Sequence, residues 1–345
     1  MGADKNYCMS SYLAFRYIVC EDKDFASNLN HTHFVQIPDE RKISVCTAEE
    51  IDAAIKMQFA LLRNEKLGIL LSGGMDSAIL AAYMPGCDAY TFRFLDGAYQ
   101  KEELQRAEYY ASHYHLNLHY IDIDWDTVLQ CVDPVMQAKQ APVHSIEPQI
   151  YAAAIRAKQD GITRMIIGDA SDYVFGGMDK LLSKDWLFDE FYKRFIYIEP
   201  AEVLKCPVDM KPVFEPFRQG AYIDFMGMMD EITVNESYSS YENAFKAADM
   251  PYSDPYEILK MGEPLDLTRI RNGESKYLIR QLFQMKYPEF PVPEKVPMPR
   301  PVDLYFKDWQ GPVRPEFREE LDMNAYTGNQ KWLLWCLERF LNNYC

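Results

Sequence analysis

The sequence predicts an α/β protein: a parallel sheet with helices on both faces, continued by a mainly helical carboxyl-terminal half. Three observations predict it. Short apolar runs, too brief to be helices, alternate with segments of ten or more residues at helical spacing. Two of these runs end in polar, glycine-containing turns, SGGMDS and GDASD. Beyond about residue 184 the alternation stops, and aromatic- and Met-rich helical segments without clear strands take over.

From Thr47 to Arg63 a Ser/Thr-type cap, Glu50 three residues on, and Ile51, Ala54, Ile55, Phe59 and Leu62 at helical spacing predict a helix. Leu67 to Leu71 is short and apolar and fits a buried strand. Asp76 to Tyr83 reads as helix until Pro85-Gly86 stops it. Ala89 to Phe94 is a strand, Gln100 to Tyr114 a helix and Asn117 to Ile123 a strand. Pro148 to Lys158 is helical, Gly161 ends it, and RMIIGD supplies the next strand. The proline-dense run Tyr287 to Pro301 is neither helix nor central strand, so it is a loop. In the last segment Trp332, Trp335, Leu337, Phe340 and Leu341 form an apolar stripe that packs into a core. Ligands of parallel sheets bind beyond the carboxyl ends of the strands, where both polar turns lie.

Composition narrows the function. The 345 residues are 48% hydrophobic, enough for one large core or two ordinary ones. There is no apolar run of membrane-spanning length and no secretory pattern at the amino terminus, so a cytoplasmic protein with no membrane partner is expected. The eight cysteines are scattered without a Cys-x-x-Cys pair, which argues against a zinc ribbon or an iron–sulfur ligand set. A net charge of -16 opposes a nucleic-acid partner. His113, His115 and His119 cannot share one helix face, because a strand begins near Asn117, and they read as solvated surface.

SGGMDS places backbone donors, two hydroxyls and a carboxylate at a strand-to-helix junction, a set that suits a pyrophosphate held with Mg²⁺. A tight turn with a polar helix cap is the bland alternative. The Walker pattern with its lysine is absent. With this loop, the stretch IIGDASDYVFGG (166–177) and the stretch MPYSDPYEILKMGEPLDLTRIRNGESKYLIRQLF (250–283), the chain resembles the N-type ATP pyrophosphatase (PP-loop) superfamily, closest to the synthetase domain of asparagine synthetase. SYLAFRYI near the start, the proline-rich loop with Lys295 and the closing helix also fit.

The resemblance implies an adenine nucleotide alpha hydrolase-like fold. It places ATP phosphates on Ser72, Gly73, Gly74, Asp76 and Ser77, and Mg²⁺ on Asp76 and Asp172. It puts Asp169 at the acidic position facing the substrate and Lys276 on the active-site lysine, while Asp254 is structural. Ala170 and Tyr173 depart from the usual Gly and Glu. His144 and Glu147 lie where the family shapes its acceptor pocket, or they cap a helix. The reaction implied adenylates a small-molecule carboxylate, releases pyrophosphate and transfers the acyl group to ammonia or another amine. Residues 1–46 resemble the last strand and linker of a lost glutaminase domain, so the nitrogen is expected from free ammonia or a separate glutaminase. Residues 47–183 are then the nucleotide-binding part and 184–345 the helical part. A nucleotide-binding protein without ligase activity, or a nucleoside- or tRNA-modifying enzyme of the same superfamily, are the alternatives.

Overall fold

The structure, a computed structural model, describes residues 2–97, 100–294 and 300–345. Five strands form its main sheet: β1 (Leu67–Leu70), β2 (Asp88–Phe94), β3 (Asn117–Ile123), β4 (Arg164–Ile166) and β5 (Tyr252–Ser253). Their spatial order is β5-β4-β1-β2-β3, and every pairing is parallel. The chain therefore builds outward from β1 to β3 and then returns to lay β4 on the other side of β1. The crevice between β1 and β4 is the topological switch point, where open α/β sheets bind ligands.

The helices that frame the sheet are α1 (Lys5–Phe15), α2 (Ala48–Leu61), α3 (Met75–Ala81), α4 (Lys101–His113), α5 (Trp125–Lys139), α6 (Glu147–Gln159), α7 (Ser171–Val174), α8 (Val234–Ala247), α9 (Tyr277–Lys286) and α10 (Gly328–Tyr344). Alternation along the strands divides the core. Tyr90, Ile121, Ile123 and Met165 pack toward α5, α6, α8 and α10, while Ile69, Ala89 and Ile166 pack toward α2, α3, α4 and α9. A third cluster, with Phe188, Phe191, Phe214 and Met228, fills the carboxyl-terminal half.

The predicted strands and helices lie where the sequence puts them, to within a residue or two at most ends, and Thr47 caps α2 by accepting the Glu50 N–H at 3.2 Å. Three features depart from expectation. Lys5–Phe15 is a helix where a terminal strand and linker were expected; Tyr12 and Leu13 are fully buried in one core cluster, and Ala14 and Phe15 in another. Helix α5 was not foreseen, because Pro134 lies inside it; Asp124 starts it by accepting the Thr127 N–H at 2.8 Å. The second half also supplies the edge strand β5, which is two residues long and too short to leave a periodic signal. Lys295 lies outside the described residues; the flanking parts of the proline-rich run, 287–294 and 300–301, contain no strand and no helix beyond the end of α9.

A buried polar junction ties α5, α6 and α8 behind the switch point. Glu147 accepts from Lys139 Nζ (2.8 Å), the His144 N–H (2.7 Å) and Asn243 Nδ2 (2.6 Å). Glu147 thus cross-links these helices and the turn before α6, and its carboxylate does not line the site cavity. Lys139 and Glu147 are both almost completely buried. Glu147→Ala leaves the Lys139 ammonium uncompensated and is expected to lower unfolding free energy by about 3–5 kcal/mol, read from the midpoint shift in urea denaturation.

Candidate active site

The loop after β1 is organised by its own hydroxyls. Ser72 donates its N–H to Ser77 Oγ at 3.0 Å, the two hydroxyl oxygens lie 3.0 Å apart, and Gly74 donates its N–H to Ser72 Oγ at 3.1 Å. Ser77 is buried and acts on the loop from inside; it does not line the cavity. Gly73 is required by contact, since a Cβ there would stand 2.6 Å from the Glu103 carbonyl oxygen where the first turn of α4 crosses the loop. Gly74 begins α3 without a side-chain cap, so the first amides of that helix are left for another acceptor.

Opposite the loop, Asp172 stands on α7, directly after β4. Between the two carboxylates lies Lys276, whose Nζ is 2.7 Å from Asp76 Oδ2 and 2.6 Å from Asp172 Oδ1. Burial pulls the Lys276 ammonium down, but Asp76 and Asp172 outweigh it and hold its pKa above the ordinary lysine value. Ser171 donates to Asp76 Oδ1 at 2.7 Å and fixes the carboxylate plane. Lys276 reaches this point from a left-handed backbone (φ 52°) just before α9, an uncommon conformation for a residue with a side chain. Gly177 leaves room for it: a Cβ there would fall 2.0 Å from Asp172 Oδ1 and 2.2 Å from Lys276 Cε.

The donor set fits a hard cation. Two carboxylates converge on one point, at present held by an ammonium, and Glu103 Oε2 is buried in the same cavity without a hydrogen-bond partner. Among the described residues no three His, Cys, Asp or Glu cluster as a metal site. Mg²⁺ does not need such a cluster, because it is commonly bound by one or two carboxylates together with nucleotide phosphates and water.

The far end of the cavity has different chemistry. Asp169 is recessed there, and Ser237 donates to its Oδ2 at 2.6 Å. Burial, then the charges of Asp172 and Glu236, push the Asp169 carboxyl up to about 7, against the pull of that hydrogen bond. The Tyr173 phenol is held neutral by burial and by the same carboxylates. Arg16, immediately after α1, sends Nη1 to His144 Nε2 (2.8 Å) and Nη2 to Glu236 Oε2 (3.0 Å), and its guanidinium stacks 3.8 Å from the Tyr197 ring centre. Arg300 Nη1 faces the same His144 Nε2 at 3.4 Å. Two guanidiniums can only donate, so His144 Nε2 accepts; burial and these cations keep the ring neutral.

Ser72, Gly73, Gly74, Asp76, Asp169, Asp172 and Lys276, which the sequence scatters over two hundred positions, therefore line one cavity of about 350 Å³. Arg16, Glu103, Glu236, Ser237, Tyr241 and Arg300 line it too; Arg16 and Arg300 lie in stretches that carried the resemblance without being singled out, and no local pattern pointed to the others. Asp254 is structural, accepting from the N–H groups of Ala170 (2.7 Å) and Tyr256 (2.9 Å) and so shaping the turn after β4. The two departures cause no distortion. Ala170 has φ -61°, which needs no glycine, and Tyr173 substitutes a neutral phenol for a further charge beside Asp169. Of the histidines, His119 pairs with Asp88 at 2.8 Å, away from the cavity.

A glycine-containing loop with no Walker lysine, opening at the switch point of a parallel α/β sheet, is the arrangement of an ATP-using enzyme of the PP-loop class, and the family model bears this out. The asparagine synthase family model matches residues 47–221, just over half of the sequence, and the chain belongs to that family. Among curated proteins none matches. Two solved structures are similar over 73% of this chain. One is the U34-tRNA thiolase NcsA from Methanococcus maripaludis with its 4Fe-4S cluster (12% identity, 83% of its chain, TM-score 0.28). The other is NMN synthetase from Francisella tularensis (12% identity, 96% of its chain, TM-score 0.28). No helix among the described residues is long and apolar enough to cross a membrane.

Gly177→Ala drives a methyl group into Asp172 and Lys276. ATP affinity is expected to fall by about tenfold or more while the fold is kept, checked by calorimetric titration beside circular dichroism.

Proposed function

We propose that the chain is an ATP-dependent amide-forming ligase that adenylates a substrate carboxylate and passes the acyl group to ammonia or another amine. The observation that carries this reading is the union, in one cavity, of a cation-bridged Asp76–Asp172 pair with a carboxyl poised near neutrality at Asp169. The first arrangement suits nucleotide phosphates; the second suits deprotonation of an amine.

In the first step a carboxylate oxygen attacks the α-phosphorus of ATP, the α–β bridging bond breaks, and pyrophosphate leaves. The uncapped first amides of α3 and the ammonium of Lys276 meet the charge on the leaving group. Mg²⁺ held by Asp76 and Asp172 would add charge neutralisation on the phosphates. In the second step the amine nitrogen bonds to the acyl carbon, AMP leaves with the C–O bond electrons, and the proton lost from nitrogen goes to Asp169. Ser237 holds that carboxyl in place. A nucleoside- or tRNA-modifying reaction is less well served, since the chain carries -16 net charge and, among the described residues, no cysteine lines the cavity.

Incubation with ATP, Mg²⁺, ammonia and a panel of carboxylates, aspartate first, is expected to yield AMP and pyrophosphate in equal amounts. ADP and phosphate as sole products overturn the reading. Lys276→Ala is expected to slow pyrophosphate release by about 10²–10³ with a much smaller loss of ATP affinity.

Asp169 sets the pH dependence. Amide formation should rise through about pH 7 as its carboxyl ionises, and Asp169→Asn should abolish that inflection while sparing carboxylate-dependent ATP–pyrophosphate exchange. Stability runs the other way. Between the unfolded value of 3.8 and the folded value of about 7 the folded state binds more protons, so this group's stabilisation, full at low pH, is lost as pH rises. The Asn variant should show a shallower fall of Tm with pH over that window by scanning calorimetry.

A further inference from the structure

The segment between α1 and α2 carries two histidines, His31 and His33, that the nucleotide cavity does not use. They stand two positions apart in a stretch without helix or turn, 29–38, which lets both rings face one side. Their ring centres lie 4.2 Å apart, edge to face. His31 is only 4% exposed. Asp24, buried as well, uses Oδ1 to accept from both the backbone N–H of His31 (2.9 Å) and its Nδ1 (2.8 Å). With the ring proton on Nδ1, neutral His31 presents its lone pair at Nε2. Among the described residues neither that Nε2 nor the Nε2 of His33 has a hydrogen-bond partner, and both atoms are buried.

Both rings line a small cavity of about 30 Å³, closed by Tyr17, by Lys139 at the end of α5 and by Asn235 and Ser239 on α8. That space takes an ion with a water and nothing larger. Lys139 brings a positive charge to it, but its ammonium is already paired with Glu147 at 2.8 Å. A carboxylate that orients one imidazole nitrogen while the other faces a cavity is the setting of a metal-ligating histidine. Imidazole nitrogens favour zinc, copper and nickel over Mg²⁺, which prefers oxygen ligands. Glu21 lines the same cavity; it is exposed and, among the described residues, in no ion pair, so a side-chain rotation can bring it onto an ion held by the two rings. Before that rotation no three of the described His, Cys, Asp or Glu residues form a metal cluster.

We propose that His31 and His33 bind one divalent transition-metal ion of the zinc class, at a site separate from the nucleotide cavity, with Asp24 as the residue that positions His31. Glu21 and water complete the coordination. The ion lies between the amino-terminal segment and α8, the helix that also carries Glu236 and Ser237 of the nucleotide cavity. The test is calorimetric titration of the chelator-treated full chain with Zn²⁺ in the presence of excess Mg²⁺ and without nucleotide. One equivalent of Zn²⁺ is expected to bind. His33→Gln should weaken it by about a hundredfold and Asp24→Asn by about tenfold, with unchanged circular dichroism and unchanged ATP affinity in His33→Gln. A second readout needs no variant to fold: Zn²⁺ added to the unaltered chain should shift the imidazole nuclear magnetic resonance signals of two of its six histidines, and His33→Gln should remove one of the two. No binding at one equivalent, binding untouched in His33→Gln, or shifts confined to the other four histidines overturns the site and leaves the cavity to water.

Discussion

The Lys276 ammonium, held between Asp76 and Asp172, is the interaction on which the rest of the site depends. Two carboxylates facing one point at the ends of β1 and β4 repel unless a cation stands between them. In the free chain that cation comes from the carboxyl-terminal half, from a residue 200 positions beyond Asp76. One bridge therefore joins the loop after β1, the helix after β4 and the start of α9. The near-complete burial of Lys276 makes the bridge expensive to leave half-made.

Around that bridge the cavity is polarised. At the loop end, the uncapped first amides of α3 and the Lys276 ammonium present positive charge to an anion. At the other end Arg16, Arg300 and neutral His144 face Glu236, and Asp169 lies between the two regions. Tyr173 contributes to this balance. A third carboxylate beside Asp169 and Glu236 would raise the cost of ionising any of them, whereas a neutral phenol adds a hydrogen-bonding group without charge. Ala170 is equally compatible, because its backbone is right-handed and its amide is taken up by Asp254.

Much of this was legible in the residues. Thr47 and Glu50 announced α2, the alternation of Asn117–Ile123 announced β3, and the two polar turns marked the strand ends that proved to be neighbours. What escaped notice did so for identifiable reasons. Pro134 signals a break and yet lies inside α5, where surrounding packing outweighs the lost hydrogen bond. Strand β5 is two residues long, and an alternating pattern cannot register at that length. The amino-terminal segment read as a linker, but its buried helix α1 belongs to two core clusters at once.

The sequence by itself determined the class of fold, the loop that suits a pyrophosphate and the acidic residues beside it, because glycine spacing and apolar periodicity are local properties that short-range sterics and burial turn directly into structure. Only the tertiary structure decided the partners of those residues. Arg16, Glu236 and Arg300 meet across more than two hundred positions, and Lys276 arrives by a left-handed turn that no neighbouring residue type demands. Charges brought together by folding interact through distance and dielectric alone. Their spacing along the chain carries no trace of either.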